Sequence, residues 1–278
     1  MTANFSTRPL IFTDLDDTLF QTARKITDLR ERELSLPGAL DRSLAPRSFM
    51  TPRQNNMVQW LLAGAETIPV TARGTEEVDR VCIPFDSWVI TTHGAVILNP
   101  EGKADAQWQQ LITEQMRDYL PRLFALQQHL SQMLADPQAV SSHLPVEAGW
   151  CRMNEEYGMP IYLVMKVNDS QHLSALNQYA DWVEQTFDLK GFYVHRNGNN
   201  VAWLPACIEK VHAVKFLLTR LRAEQPDRPA LGFGDSLSDF SFMQQCDFMV
   251  LPQRSQLLAA LESALPTARQ RGENHAAT

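Results

Sequence analysis

The sequence has no apolar run long enough to cross a membrane. Among its 278 residues, the longest apolar stretches include Pro160 to Met165 and Trp60 to Ala63, far below the roughly 18 residues that a membrane helix needs. The segment from Met1 to Pro9 also lacks the apolar core and cleavage site of a secretory signal. We therefore expect a cytoplasmic protein with neither a membrane span nor a membrane partner.

Cysteine is scarce and is not arranged for metal binding. The four cysteines lie far apart, without a C-x-x-C pair, at Cys82, Cys151, Cys207 and Cys246. This spacing suggests neither a zinc site nor a disulfide framework, so we expect buried free thiols.

The chain also lacks a strong block of charge of one sign. Its 25 basic and 32 acidic residues give a net charge of -7. This balance argues against a nucleic-acid partner, whose phosphate backbone attracts clustered lysine and arginine. Chemistry on a small molecule is the better expectation.

The composition and the pattern of predicted elements are those of a globular α/β protein. With 44% hydrophobic and 21% charged residues, it can form one large or two modest domains. Strands and helices alternate near both ends of the chain, which predicts a doubly wound, Rossmann-like parallel sheet covered on both faces. The predicted strands are 10–13, 67–71, 88–91, 230–234 and 248–251, and the predicted helices are 52–64, a short one after Gly74, and 238–245.

The middle of the chain differs and predicts an inserted α+β domain. It combines a long helical pattern over 108–134 and a helix over 171–187 with strands at 161–167, 192–195 and 201–204. The predicted division is therefore a first domain of residues 1–88 and 206–278 and an inserted domain of residues 89–205. The polar tail from Thr267 to Thr278 is expected to fray.

Reactive side chains follow three of the predicted strands. Asp14, Thr71 and Asp235 stand directly at strand ends, and Asp239 comes one helical turn after Asp235. Ligands of open α/β sheets bind beyond the carboxyl ends of the strands, so we expect these groups to converge.

The converging groups suit phosphoryl transfer. Repulsion among Asp14, Asp16 and Asp235 calls for a cation, and an all-oxygen site favours Mg²⁺. Asp14 can attack phosphorus to give an aspartyl-phosphate, while Asp16 acts as general acid and then general base. The hydroxyl of Thr71 and the charge of Lys210, at the start of a helix predicted over 210–221, can hold phosphoryl oxygens.

Simpler interpretations exist for each motif alone. Asp16 or Asp17 can cap a helix, and Gly234-Asp235-Ser236 can be an ordinary turn. Their occurrence after apolar strands, in an α/β order and with Thr71 and Lys210 between them, favours a site.

Four motifs together resemble those of the haloacid dehalogenase superfamily phosphatases, of the Cof-like or sucrose-phosphatase-like group with a C2 cap. The resemblance covers nearly the whole chain. The motifs read Asp14-Leu15-Asp16-Asp17-Thr18 for D-x-D-x-T, Val70-Thr71-Ala72-Arg73 for the strand ending in Thr, Lys210-Val211-His212-Ala213-Val214 for the lysine helix, and Gly234-Asp235-Ser236-Leu237-Ser238-Asp239 for G-D-x-x-N-D.

The resemblance implies a division of roles. The insertion would be a cap that closes over the active site and selects the substrate. Mg²⁺ would be held by Asp14, the backbone carbonyl of Asp16 and Asp235, with Asp239 beside them. The implied catalytic residues are Asp14, Asp16, Thr71 and Lys210, and the candidate substrate ligands are Thr18, Arg73, His93 and, in the cap, Arg152, Arg196 and Asn200. For each of the cap residues, a plain surface position is the alternative.

The chain also departs from the family pattern. Val211 replaces the usual Gly, Ser238 replaces the commoner Asn, and His93-Gly94-Ala95 stands where Asn-Gly-Ala is usual. His93 can contact substrate or cap the strand. Extra residues over about Asp28 to Ser48 form either an enlarged flap over the site or a solvated loop.

The function that follows is a Mg²⁺-dependent phosphomonoesterase acting on a small phosphorylated metabolite, most plausibly a sugar phosphate. A phosphomutase is the near alternative, since the same intermediate can pass to a second hydroxyl. A phospho-receiver or other regulatory module is the third, although Asp16 would speed loss of the phosphoryl group and a receiver needs no large insertion. The substrate itself and the oligomeric state are left open by the sequence.

Overall fold

The structure is a computed structural model that describes residues 8–135 and 148–265; the tail from Thr267 to Thr278 lies outside them. The chain divides into two compact units, between Ala104 and Asp105 and again between Glu209 and Lys210. The sequence predicted an inserted domain of residues 89–205, whereas the second compact unit comprises Asp105–Glu209. The substrate-selecting role of the second unit stays a prediction.

The first part of the first unit begins and ends with strands. Its elements are β1 (Leu10–Thr13), β2 (Gln21–Thr22), α1 (Leu29–Glu33), β3 (Leu36–Leu40), β4 (Pro46–Met50), α2 (Pro52–Gly64), β5 (Glu66–Pro69), α3 (Thr75–Val78), β6 (Val89–Thr91) and β7 (Val96–Leu98).

The second unit combines helices with a strand-rich half, and the chain then returns to the first unit. The second unit contains α4 (Ala106–Met116), α5 (Leu120–Ala135), β8 (Gly149–Glu156), β9 (Met159–Val167), α6 (Leu173–Thr186), β10 (Phe192–Asn197) and β11 (Asn200–Pro205). The first unit resumes with α7 (Lys210–Glu224), β12 (Ala230–Phe233), α8 (Leu237–Met243), β13 (Phe248–Val250) and α9 (Gln256–Ala264).

A parallel four-stranded sheet lies at the centre of the first unit. Its order is β13-β12-β1-β5, and Thr13 lies opposite both Phe233 and Pro69. Every residue of β1 is buried, which explains its uninterrupted apolar sequence. The strand order reverses between β1 and β12, where a ligand crevice is expected. The predicted doubly wound α/β fold is confirmed.

Local capping explains why α2 could be predicted closely. The Thr51 hydroxyl accepts a hydrogen bond from Gln54 N at 3.3 Å, the Gln54 side chain caps Thr51 in return, and Pro52 fills the first helical position. The helix buries Val58 and Leu61 against the sheet's core.

The predicted third parallel strand, 88–91, is different in the structure. It is β6, which pairs antiparallel with β7. An isolated parallel bridge joins Val70 to Ile90, and Thr71 N donates to Ile90 O at 2.9 Å. These contacts explain why the hairpin of β6 and β7 belongs to the first unit.

Two other expectations need correction. The helical pattern over 108–134 is two helices, α4 and α5, because the chain turns at 117–119. Residues 28–48 are not a plain solvated loop, since they contain α1 and the antiparallel strands β3 and β4, with β2 on the outer side of β4.

The second unit is a two-layer α/β arrangement. Its antiparallel sheet has the order β10-β11-β9-β8. Helices α5 and α6 pack on one face, where Leu126 and Tyr179 meet Leu163, Met165 and Trp203. The alternation of side chains along each strand therefore separates a helix-covered face from an opposite face.

The cysteines are free thiols, but only some are sheltered. Cys82 is exposed, contrary to the expectation. The other three are half-buried, and burial raises the pKa of Cys151 to about 12 and of Cys207 to about 11. In the described residues, no helix has both the length and the apolar character of a membrane span.

Candidate active site

Asp14 and Lys210 form a buried ion pair at the carboxyl end of the sheet. Asp14 directly follows β1, and its backbone N donates to Phe233 O at 2.9 Å, which fixes it against β12. Lys210 opens α7, and its Nζ lies 2.6 Å from Asp14 Oδ1 and 2.7 Å from Asp239 Oδ1. One buried ammonium thus serves two buried carboxylates.

Asp239 also caps the start of helix α8, of which it is the third residue. Its Oδ2 accepts hydrogen bonds from Ser236 N at 3.0 Å and from Ser236 Oγ at 2.6 Å, which completes a capping box at the start of α8. Gly234 makes this geometry possible, because a Cβ there would lie 2.5 Å from the Asp239 Cβ. The motif glycine is therefore required by close packing of β12 against α8.

Three carboxylates gather around Lys210. Oxygen atoms of Asp14, Asp235 and Asp239 lie within 4.8 Å of one another, and all three residues are buried. The pKa of Asp235 is raised to about 7, chiefly by burial and in part by the negative charges of Asp239 and Asp17. No ion pair involves Asp235 within the part of the chain that the structure describes.

The pKa values of the two carboxylates that share Lys210, those of Asp14 and Asp239, shift in opposite directions. Burial raises the pKa of Asp14 well above its ordinary value despite Lys210. Burial would also raise the pKa of Asp239, but Lys210 and Ser236 hold it below its ordinary value. The pKa of Lys210, which burial alone would lower, is raised by the two carboxylates, so the lysine stays charged.

Asp16 is held by Arg73, which the sequence assigned to substrate. Arg73 Nε donates to Asp16 Oδ2 at 2.7 Å, and Nη2 donates to Oδ1 at 2.8 Å. The Asp16 carboxylate therefore does not join the buried cluster of three carboxylates.

A further ion pair at this edge was missed by sequence reasoning. Asp17, in a left-handed conformation with φ 65°, forms a salt bridge with Lys25 from a short 3-10 turn after β2. The charge of Lys25 is close enough to Asp235 to oppose the rise of its pKa. Nothing in the local sequence marks Lys25, because the pairing depends on the path of the chain between them.

Thr71 and His93 lie side by side. The Thr71 hydroxyl accepts from Arg73 N at 3.1 Å, and His93 N donates to Thr71 O at 3.1 Å. His93 is buried and left-handed, with φ 56°. Thr18 is also buried, and its hydroxyl has no hydrogen-bond partner among the described residues.

The three candidates of the second unit are not brought together. Arg196 faces α6, where it pairs with Asp181 at 2.7 Å and Glu184 at 2.5 Å. Arg152 and Asn200 lie opposite Val164 and Lys166 of β9, on the other face of the sheet. The Arg152 guanidinium lies 4.3 Å from the centre of the Trp150 ring.

Comparisons with known proteins identify the fold. No protein-family model and no curated protein sequence matches the chain. The sucrose-phosphatase of Synechocystis sp. PCC6803, solved with sucrose and phosphate, matches with a TM-score of 0.52 and 16% identity, over 92% of this chain and 88% of that one. A protein of Thermoplasma acidophilum matches with a TM-score of 0.50 and 12% identity, over 90% of this chain and 87% of that one. At these identities the likeness establishes a shared fold.

Proposed function

We propose that this chain, which has the fold of the haloacid dehalogenase superfamily phosphatases, is a Mg²⁺-dependent phosphomonoester hydrolase that works through an aspartyl-phosphate on Asp14. The observation that carries the proposal is the buried cluster of Asp14, Asp235, Asp239 and Lys210. It lies at the ends of β1 and β12, where the strand order reverses.

The charges at this edge leave room for a divalent cation. Lys25, Arg73 and Lys210 pair with the nearby carboxylates except that of Asp235, whose pKa burial raises to about 7. A buried carboxylate without a cation is costly unless a proton or a metal ion compensates it.

The donor set fits Mg²⁺. All the candidate ligands are oxygen atoms, which a hard divalent cation prefers. Asp14 and Asp235 would hold the ion, whereas both oxygens of Asp239 already accept hydrogen bonds from Lys210 and Ser236. When bound, Mg²⁺ would neutralise phosphate charge and favour the ionised form of its carboxylate ligands.

The residues then divide the reaction between them. A carboxylate oxygen of Asp14 attacks phosphorus, and the bond from phosphorus to the leaving oxygen breaks. Asp16 donates a proton to that oxygen and later accepts one from the water that hydrolyses the aspartyl-phosphate. Lys210 and the Thr71 hydroxyl stabilise charge on the phosphoryl oxygens.

A sugar phosphate is the proposed substrate class. Support comes from the shared fold with an enzyme solved with sucrose and phosphate, and the fold alone does not set specificity. The second unit is proposed to select the substrate, with Arg152 and Asn200 as its polar candidates. Thr18 and His93 are proposed to contact the substrate from the first unit.

The test is phosphate release from a panel of sugar phosphates, nucleotides and one aryl phosphate, with Mg²⁺ and with EDTA. Asp14→Asn should abolish metal-dependent release while circular dichroism stays unchanged. Asp227→Asn, at an exposed loop carboxylate of the same unit, is the matched control and should behave like the wild type. Full activity in Asp14→Asn would contradict the proposal, and a lasting phosphoryl adduct without phosphate release would favour a phosphomutase or a phospho-receiver.

A further inference from the structure

The guanidinium of Arg73 grips the whole Asp16 carboxylate. Two parallel hydrogen bonds, of 2.7 and 2.8 Å, join Nε and Nη2 to the two carboxylate oxygens. Such a fork fixes both the direction and the plane of a carboxylate, which a single hydrogen bond cannot do. The Arg73 side chain is only 16% exposed, whereas that of Asp16 is 48% exposed. A largely buried arginine therefore fixes the orientation of a carboxylate that solvent can reach.

Arg73 is itself supported from below by Phe20. Its guanidinium carbon lies 5.1 Å from the centre of the Phe20 ring, within the range of a cation–π contact. Phe20 is fully buried, and Asp17 N donates to Phe20 O at 2.7 Å. Because Asp16 and Phe20 pair within one tight turn, the acid and the support for its arginine are fixed together.

The hairpin of β3 and β4 holds Phe20 in turn. A Cβ at Gly38, in β3, would lie 2.6 Å from the Phe20 Cβ and 2.8 Å from its Cγ. The strand therefore passes directly against the ring at a residue without a side chain. A continuous line of contacts runs from Gly38 through Phe20 and Arg73 to Asp16.

We propose that Arg73 is a positioning residue for Asp16 and not primarily a ligand of the substrate. This inference rests on the proposed function, in which Asp16 gives its proton to the leaving oxygen as the bond to phosphorus breaks. A half-exposed aspartate is otherwise free to change rotamer, and the fork selects one orientation. Each carboxylate oxygen keeps a second lone pair outside the fork, so the grip does not block proton transfer.

The test compares two esters that differ in their need for a general acid. Phenyl phosphate releases a strongly basic phenolate, whereas 4-nitrophenyl phosphate releases a stabilised anion that needs little protonation. In Arg73→Ala and Arg73→Lys, kcat/KM reports formation of the aspartyl-phosphate and not its later hydrolysis, in which Asp16 acts as a base on both esters alike. It should fall about 100-fold for phenyl phosphate and only about threefold for 4-nitrophenyl phosphate. Added guanidinium ion at non-denaturing concentration should restore much of the lost rate in Arg73→Ala.

Two further variants complete the experiment. Arg53→Ala removes an arginine whose side chain is 91% exposed in the same unit, and it should leave both rates unchanged. Gly38→Ala forces Phe20 to move and should lower the ratio of the two rates in the same direction as Arg73→Ala, by a smaller factor. Thermal unfolding of each variant distinguishes loss of folding from loss of positioning.

The outcomes separate this inference from the proposed function. An equal loss of kcat/KM on both esters in the Arg73 variants would overturn the inference and assign Arg73 to phosphate binding. An unchanged rate on both esters would overturn it as well. A wild-type protein that hydrolyses neither ester with Mg²⁺, or an Asp14→Asn variant that hydrolyses both, would instead contradict the proposed function.

Discussion

Charged side chains are buried at both edges of the central sheet, but the two edges differ in whether each charge has an ion-pair partner. At the amino ends of the strands, Arg228 forms an ion pair with Glu66, and the other Glu66 oxygen accepts from Ser87 Oγ at 2.6 Å. At the carboxyl ends, Asp235 is buried without an ion pair in the described residues, beside the pair of Asp14 and Lys210.

We propose that this difference separates a structural network of charged groups from a reactive one. A buried ion pair whose polar atoms are all satisfied holds the fold and has no need of a ligand. A buried carboxylate without a cation costs stability until a ligand compensates it, and such costs are typical of functional sites. On this view, the feature that marks the site is a buried carboxylate without an ion pair, and not the burial of charge as such.

Of the substitutions that test this comparison, removal of Lys210 should have the largest effect on stability and on the rate of phosphate release. Lys210→Met leaves Asp14 and Asp239 buried without their shared cation, so the free energy of unfolding in EDTA should fall by about 4 kcal/mol. The kcat for phosphate release should fall about 1000-fold, because a charge that stabilises phosphoryl oxygens is lost. Urea denaturation and phosphate release measure the two effects. A stable and active variant would contradict the role given to Lys210.

Removing Arg228 should affect stability without affecting catalysis. Arg228→Met leaves Glu66 without its cation, and we expect a loss of about 2–3 kcal/mol, since the two side chains are 10% and 23% exposed. In a double-mutant cycle with Glu66→Gln, the coupling energy should be about 1–2 kcal/mol. The kcat per folded molecule should stay at the wild-type value. A large drop in kcat would show that the two edges are not independent.

Much of the carboxyl edge could be predicted because its signals are local. Asp14 and Asp235 directly follow buried strands, and Thr51 with Pro52 marks the start of α2. The partners of the carboxylates could not be predicted in the same way. Arg73 and Asp16 are 57 residues apart, so their pairing depends on β1 and β5 lying side by side.

The failures have equally specific causes. Pro37 and Gly38 interrupt the sequence of β3, and both residues are depleted from strands. The sequence therefore did not predict the hairpin of β3 and β4, and it left a flap and a solvated loop as alternatives for this segment. The apolar pattern continues across the turn between α4 and α5, which hides the break. The sequence could not predict that Arg196 lies on the helix-covered face of its sheet, because a shift of one residue in a strand moves a side chain to the other face.

Asp235 should give the metal-free protein a dependence of stability on pH. Its folded pKa of about 7 lies above its ordinary value of 3.8. A raised carboxyl pKa means that the folded state binds the proton more tightly, so stability falls as the pH rises between these two values. In EDTA, the wild type should lose about 2 kcal/mol from this group between pH 4 and pH 7, after allowance for solvent screening.

The Asp235→Asn variant isolates that contribution. It should lack this part of the pH dependence, and Mg²⁺ at pH 8 should raise the unfolding midpoint of the wild type but not of the variant. Asp227→Asn, with its exposed carboxylate, should respond to Mg²⁺ like the wild type. Equal stabilisation of Asp235→Asn by Mg²⁺ would remove Asp235 from the metal site.

The smallest effect is expected at Arg196, which extends the comparison to the second unit. Its guanidinium already pairs with Asp181 and Glu184, and its side chain is 36% exposed, so the network is complete and solvent-screened. Arg196→Ala should lower the free energy of unfolding by about 0.5 kcal/mol, measured in urea. If complete pairing marks a structural role, KM for the best substrate of the panel should stay unchanged. A tenfold rise in KM would show instead that a fully paired arginine can leave its carboxylates for a substrate, and pairing would then no longer separate structural from functional charge.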